Sequence, residues 1–261
     1  MNKRTKLILT AVAAVAVIAV AVWLIFFHGG DQNKADLTFA TEGNWKPYTY
    51  HDQTSNELMG FDVEVAQAIA QKLGMEAKFE EVEFSAILAG IESKRYTTGA
   101  NFFDVTEERA KNYTFTEPYA YGSTVLIVRT DNEDITSFED LAGKTTANSP
   151  NSSYMALGEK YGATVTGIES LPDTMNMVET GRVQATINAS DAFLDYMQAK
   201  PDAPLKIVAQ LEEKTPVAFP FPKEGSEELV EKFNKAIEEL RADGTLTKIS
   251  MKYFGYDITQ P

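Results

Sequence analysis

From residue 37 onward two hydrophobic rhythms alternate along the chain, and this alternation restricts its possible folds more than any other feature. LTFAT (37–41), AKFEEVEF (77–84), TVLIV (124–128), TVTGI (164–168), ATIN (185–188) and KIVA (206–209) read as short strands. Helical repeats lie between them. In GFDVEVAQAIAQKLG, Phe61, Val65, Ile69 and Leu73 recur every four residues and Gly74 supplies a stop. In SEELVEKFNKAIEELRADG, Leu229, Phe233, Ile237 and Leu240 form an apolar stripe. Strands alternating with helices pack as a mostly parallel, layered α/β arrangement.

Two segments of this pattern are alike. IESKRYTTGAN (91–101) and VETGRVQATIN (178–188) share an apolar start, a Glu, an Arg at the same offset and a closing Asn. Either two similarly built halves or a chance likeness of two amphipathic units accounts for this. Each segment reads as a helix end running into a strand, which puts the residues after Asn101 and Asn188 at strand C-terminal ends. Ligands bind at such ends in open α/β sheets.

With 261 residues, 44% of them hydrophobic, the chain has room for one large domain or two small lobes around a cleft. Its 38 acidic and 24 basic residues give a formal net charge of −14, which repels phosphate backbones, so nucleic acid is not an expected partner. Cysteine is absent and histidine occurs only at His28 and His51, leaving no thiol chemistry, no lipidated cysteine and no metal-ligand cluster; no cofactor is expected.

Residues 7–27, LILTAVAAVAVIAVAVWLIFF, carry no charge and suffice to cross a hydrocarbon core of roughly 30 Å. Lys3, Arg4 and Lys6 precede them, so the positive-inside rule leaves the N-terminus in the cytoplasm and the rest outside. No Ala-x-Ala cleavage site follows Phe27. Residues 1–28 are therefore expected to be an uncleaved, single-pass signal anchor in the cell membrane, and 29–36 a polar tether.

In ANFFDVTEERAKNYTF (100–115), Thr106 is a good helix N-cap, and Glu107 and Glu108 suit a first turn, yet Arg109 puts a cation there. Two readings are open. Arg109 pairs with a neighbouring glutamate on a wet surface, or it joins the helix N-terminus in facing an anion supplied by a ligand.

Taken in order, ATEGNWKPYTY, LMGFDVEVAQAIAQKLG, VTEERAKNYTFTEPYAYG, ITSFEDLAGKT, EKYGATVT, GRVQATIN and LRADGTLTKISMKYFG are highly specific. Through them the chain resembles the polar amino-acid solute-binding proteins of ABC importers, extracellular solute-binding family 3. TANSPNSSY and DAFLDYMQAKP lean towards the cystine subgroup. The resemblance implies a bilobed periplasmic-binding fold of type II, with two crossover strands and a ligand closed between the lobes by a hinge motion. Lobe one comprises residues 37–120 and 217–256, lobe two residues 124–213. An amino acid or related amine is the implied ligand and an ABC permease the implied partner, with the folded part extracytoplasmic.

Site residues carried by the resemblance are Arg109 for the ligand α-carboxylate, Glu42 and Trp45 at the end of the first strand, Phe84 in VEFSA, and Asn101 and Phe102 at a strand end. Lobe two contributes Ser152 and, as a departure where Thr is usual, Asn151. The departures are Asp104, where Ser or Thr is usual, and Ala189 and Ser190, where an acidic grip for the ammonium is usual; Asp191 comes next. The cleft is then negative on balance and favours a ligand bearing an amine. Asp104 either takes that ammonium or pairs with Arg109 internally. Two other classes remain: an enzyme of the dehydratase type, with Asp104 or Glu42 as a general acid of raised pKa, and a sensing ectodomain that acts through a separate partner.

Overall fold

In the computed structural model, which describes residues 36–261, strand Asp36–Thr41 lies between two parallel neighbours, Glu76–Glu81 and Thr98–Gly99. A second sheet has the order Thr164–Gly167, Thr145–Asn148, Ala185–Ala189, Thr124–Arg129, Leu205–Gln210, in which only Thr124–Arg129 runs antiparallel to its neighbours. The two sheets share a parallel three-strand unit: Asp36–Thr41 lies between Glu76–Glu81 and Thr98–Gly99, and Thr145–Asn148 lies between Thr164–Gly167 and Ala185–Ala189. The expected membrane segment, and the tether as far as Ala35, lie outside the described residues; Asp36, expected as the tether's last residue, instead opens the first strand. Among the described residues no helix is long and apolar enough to cross a membrane.

The likeness of 91–101 and 178–188 has a structural basis. Helix Phe84–Glu92 and helix Leu171–Glu179 end at Ser93 and Thr180, followed by Lys94 and Gly181 in the left-handed region at φ 59° and 68°. The N–H groups of Lys94 and Arg95 return to Ile91 and Gly90, and those of Gly181 and Arg182 return to Val178 and Met177. Thr97 then donates to Thr38, and Gln184 to Thr145, on the strands Asp36–Thr41 and Thr145–Asn148. The same C-terminal cap thus launches strands Thr98–Gly99 and Ala185–Ala189 and sets Asn101 and Asn188 at equivalent ends.

Hydrophobic periodicity located the main helices well. Helix Phe61–Lys72 buries Phe61, Val65 and Ile69 and ends before Gly74 at φ 67°, while helix Glu227–Ala242 buries Val230, Phe233, Ile237 and Leu240. The two helices pack on each other, and the Phe39 ring of the first strand lies 5.5 Å from Phe79 of the neighbouring strand and 6.3 Å from Phe233 of the second helix. Two expectations are corrected. The run 77–84 is strand only to Glu81, and Phe84 opens helix Phe84–Glu92 because Phe84, Ile87 and Ile91 recur at helical spacing and are buried together. Strand Thr145–Asn148 went unread, because TTAN has no apolar alternation although Thr146, Ala147 and Asn148 are buried.

The chain passes between the two halves along Ala120–Gly122 and returns along Thr215–Val217, and these passages pair antiparallel, Ala120 opposite Val217. A further pair, Tyr113–Phe115 with Pro220–Pro222, lies next to them in sequence.

Candidate solute-binding cleft

Thr106 caps helix Glu107–Asn112 by accepting the Arg109 N–H at 3.2 Å, so the arginine side chain leaves from the first turn. It is 8% exposed. Nη1 donates to the main-chain carbonyl of Asp104 at 3.1 Å and Nη2 to that of Asn151 at 3.2 Å, while the guanidinium carbon sits 5.8 Å from the Phe84 ring centre and 5.3 Å from that of Phe103. Among the described residues the guanidinium forms no salt bridge. Burial draws its pKa below the usual arginine value, with the Asp104 charge opposing. The surface pairing with a glutamate is not what the fold makes of this residue.

The internal Asp104–Arg109 side-chain pair is likewise not formed. Asp104, 5% exposed, accepts the hydroxyl of Ser153 at 2.5 Å through Oδ2, a contact between the two halves. Burial raises its pKa, opposed by the Ser153 hydrogen bond and by the Arg109 charge.

At the end of the first strand, Asn101 Oδ1 accepts the Glu42 N–H at 2.9 Å and Asn101 Nδ2 donates to Glu42 Oε2 at 2.7 Å. Burial chiefly pushes the Glu42 carboxyl up to about 7; the Asn101 bond opposes this, and the charges of Glu169 and Glu83 add to it. Phe102 follows at φ 48°, a left-handed conformation costly for an aromatic residue. Asp62 holds it there: this fully buried carboxylate accepts the Phe102 N–H and, at 2.9 Å, the Tyr119 hydroxyl, and burial pushes its pKa up to about 7. Trp45 is 8% exposed and stacks near Tyr48, 4.6 Å between ring centres, and Phe102, 6.4 Å.

These residues enclose a narrow cavity of about 40 Å³, room for about three waters at ~10–15 Å³ each. Of the expected site residues, Glu42, Trp45, Phe84, Asn101, Phe102, Asp104, Arg109 and Ser152 line it. Ser152 also caps helix Ser153–Lys160 by accepting the Met155 N–H. Asn151 and Asp191 do not line it. Asn151, at φ 63°, turns its carbonyl to Arg109 and its amide to the Ser85 carbonyl on an outer groove, and Asp191 accepts the Tyr256 hydroxyl at 2.5 Å.

Sequence reasoning missed Asn148, Ser153, Glu169, Thr174 and Asn188 as lining residues. Asn188 stands at a strand C-terminal end and Glu169 just beyond one, so the rule that picked out Asn101 could have found both, whereas Asn148 closes the strand that went unread. Asp62 offered no such signal, because an acidic residue in the first turn of a helix is ordinary.

Two α/β halves joined by paired crossings, with a buried cation and several carboxylates around an internal cavity, define a bilobed solute-binding protein. Residues 37–256 match the model of bacterial extracellular solute-binding proteins, family 3, and the chain belongs to that family. It is 39% identical over 260 residues to a probable amino-acid ABC transporter-binding protein of Haemophilus influenzae, covering 98% of this chain and 99% of that one. It superposes on an ancestral arginine-binding protein bound to arginine with a TM-score of 0.78 at 31% identity, covering 85% of this chain and 99% of the other. The L-cystine solute receptor of Neisseria gonorrhoeae, in its unliganded open conformation, has 37% identity but a TM-score of 0.57, with 88% and 97% covered. The chain is thus a solute-binding component of an ABC importer for amino acids or related small amines.

Proposed function

We propose that Arg109 clamps the carboxylate of an amino acid and Asp104 receives its ammonium, between a lobe of residues 37–120 and 217–256 and a lobe of residues 124–213. The observation that carries this reading is Arg109 itself, 8% exposed and, among the described residues, without a salt bridge. A buried cation held only by carbonyl groups is costly, and an arriving carboxylate offsets that cost through charge-assisted, forked hydrogen bonds. Phe84 and Phe103 stack on each other, 5.3 Å between ring centres, and the guanidinium lies beside this pair.

The contacts Arg109–Asn151, Ser153–Asp104 and Ser85–Glu169 join the two lobes, so we read the described arrangement as the closed one. The better match to an arginine-bound structure than to an open one agrees with this. A solute enters when these contacts part and is enclosed when they re-form. The protein works by capture and release without covalent chemistry, tethered to the outer face of the membrane by residues 1–28, from where it meets its permease.

Titration calorimetry of the detergent-solubilised full chain against amino acids and the corresponding decarboxylated amines tests the reading. Amino acids are expected to bind and the amines to bind at least tenfold more weakly. Equal binding of both would remove Arg109 from the role of carboxylate clamp. Product formation from the bound solute would put the protein among the enzymes instead.

A further inference from the structure

The cleft segment that carries Asp104 is built into the crossings between the halves. Val217 of the returning passage has Ala120 opposite it on one edge and Asp104 opposite it on the other, both antiparallel. The Val105 N–H donates to the Pro216 carbonyl at 2.9 Å, and the Ala218 N–H donates to the Phe103 carbonyl at 3.1 Å. Residues 103–105 therefore form a short third member of the ribbon that joins the halves. Phe102, just before them, lays its ring on the outgoing passage: a Cβ built on Gly122 would lie 2.8 Å from that ring, so the bare glycine makes room for it.

The chain enters this ribbon through the left-handed Phe102, a conformation that a side chain's Cβ disfavours. Asp62, in the first turn of helix Phe61–Lys72, opposes that preference. Its Oδ2 accepts the Phe102 N–H, and its Oδ1 accepts at 2.9 Å the hydroxyl of Tyr119, the residue before the outgoing passage Ala120–Gly122. Asp62 is fully buried and, among the described residues, forms no salt bridge. A buried carboxylate that meets only neutral donors costs stability rather than adding to it. Two residues beyond Phe102, the Asp104 carbonyl accepts Arg109 Nη1 at 3.1 Å. The aim of the guanidinium fork thus depends on the path of the chain from 102 to 104.

We propose that Asp62 is a positioning residue for solute binding: by holding Phe102 left-handed and Tyr119 at the foot of the outgoing passage, it aims Asp104 and Arg109 at the solute and ties them to the crossings about which the halves close. The proposal rests on the Arg109–Asp104 reading. Asp62 does not line the cavity and acts only through Phe102 and Tyr119.

Calorimetric titration of the full chain in detergent at pH 7.5 with L-arginine, L-glutamine and L-cystine, whose far ends are cationic, neutral and zwitterionic, first identifies the tightest-binding probe. Asp62→Ala removes both acceptors and is expected to weaken that probe about tenfold or more, in a chain whose circular dichroism matches the wild type. Asp62→Asn keeps one oxygen for the Phe102 N–H and offers Nδ2 to the Tyr119 hydroxyl oxygen, and is expected to stay within about threefold of the wild type. The Phe102→Gly background separates aim from general stability, because glycine takes a left-handed φ unaided; there Asp62→Ala is expected to cost about threefold or less. Unchanged affinity in a folded Asp62→Ala chain, equal losses in Asp62→Asn and Asp62→Ala, or the same loss in both backgrounds would overturn this proposal and leave Arg109 as the clamp. If Asp62→Ala alone does not fold, recovery of the fold by adding Phe102→Gly supports the proposal, and an unfolded double variant overturns it. Failure of the wild-type chain to bind any of the three probes would overturn the Arg109–Asp104 reading and this proposal with it.

Discussion

Arg109 reaches across the cleft: its Nη2 donates to the carbonyl of Asn151 at 3.2 Å while Nη1 holds the carbonyl of Asp104 on its own side. On the proposed role of Arg109, one side chain therefore couples the solute's carboxylate to the meeting of the halves. Arg109→Ala is expected to weaken binding of a carboxylate solute by about 2 kcal/mol or more, the usual cost of breaking a buried charged pair. Arg109→Lys should recover little of this, because an ammonium cannot make the fork. Calorimetry reads the affinity and circular dichroism the fold; unchanged affinity in a folded Arg109→Ala chain would contradict the role.

Stability should fall as pH rises through the weakly acidic range. Asp62 and Glu42 have folded pKa values near 7, against ordinary values of 3.8 and 4.5, so the folded chain binds protons that the unfolded chain releases between about pH 4 and 7. Each unit of such a difference is about 1.4 kcal/mol of stability, fully present below the unfolded value and lost as pH climbs through the folded one. The unfolding midpoint is expected to be higher at pH 5 than at pH 8, with a smaller difference in Asp62→Asn. A midpoint that rises from pH 5 to 8 would refute this.

Gly60 precedes helix Phe61–Lys72 at φ 136°, and a Cβ built on it would lie 2.2 Å from the Tyr48 carbonyl oxygen. Gly74, after the same helix, has φ 67° and open space around it. Gly60→Ala should therefore destabilise more than Gly74→Ala, whose cost is only that of left-handed backbone, roughly 1–2 kcal/mol. Chemical denaturation of the two variants checks the order. Equal losses would show that the backbone around Tyr48 yields freely.

Trp45 should report the solute directly. It lines the cavity against Tyr48 and Phe102, and the only other tryptophan, Trp23, can be silenced as Trp23→Phe. Emission of that variant is expected to shift saturably with solute, at the concentrations where calorimetry shows binding. A flat emission titration under those conditions would place the solute away from the first strand.

Much of this molecule can be read from its residues, for identifiable reasons. The strand and helix periods around Val65 and Phe233 are strong because their apolar faces are continuous. Thr146 and Asn148 escaped because an interior strand sandwiched by other elements needs no alternation, and its polar side chains hide the pattern. In the cleft, positions on strand ends were legible by rule, and Arg109 was singled out by an unfavourable place in its helix turn. Asp191 was misplaced because its partner, Tyr256, comes from the far C-terminal end, a contact that no local pattern encodes. Asp62 was invisible because only the assembled fold shows which N–H it must satisfy.

The two passages between the halves lie hydrogen-bonded side by side, Ala120 against Val217. A pair of straps fastened edge to edge resists shear and twist far more than rotation about the line they share, so the gap between the halves is governed by a single coordinate. The Lys46–Asp195 ion pair, 3.0 Å long and on the rim, spans that gap. One spectroscopic ruler placed near it would therefore track the whole excursion, and its distribution of lengths would give the free-energy profile of opening without further labels.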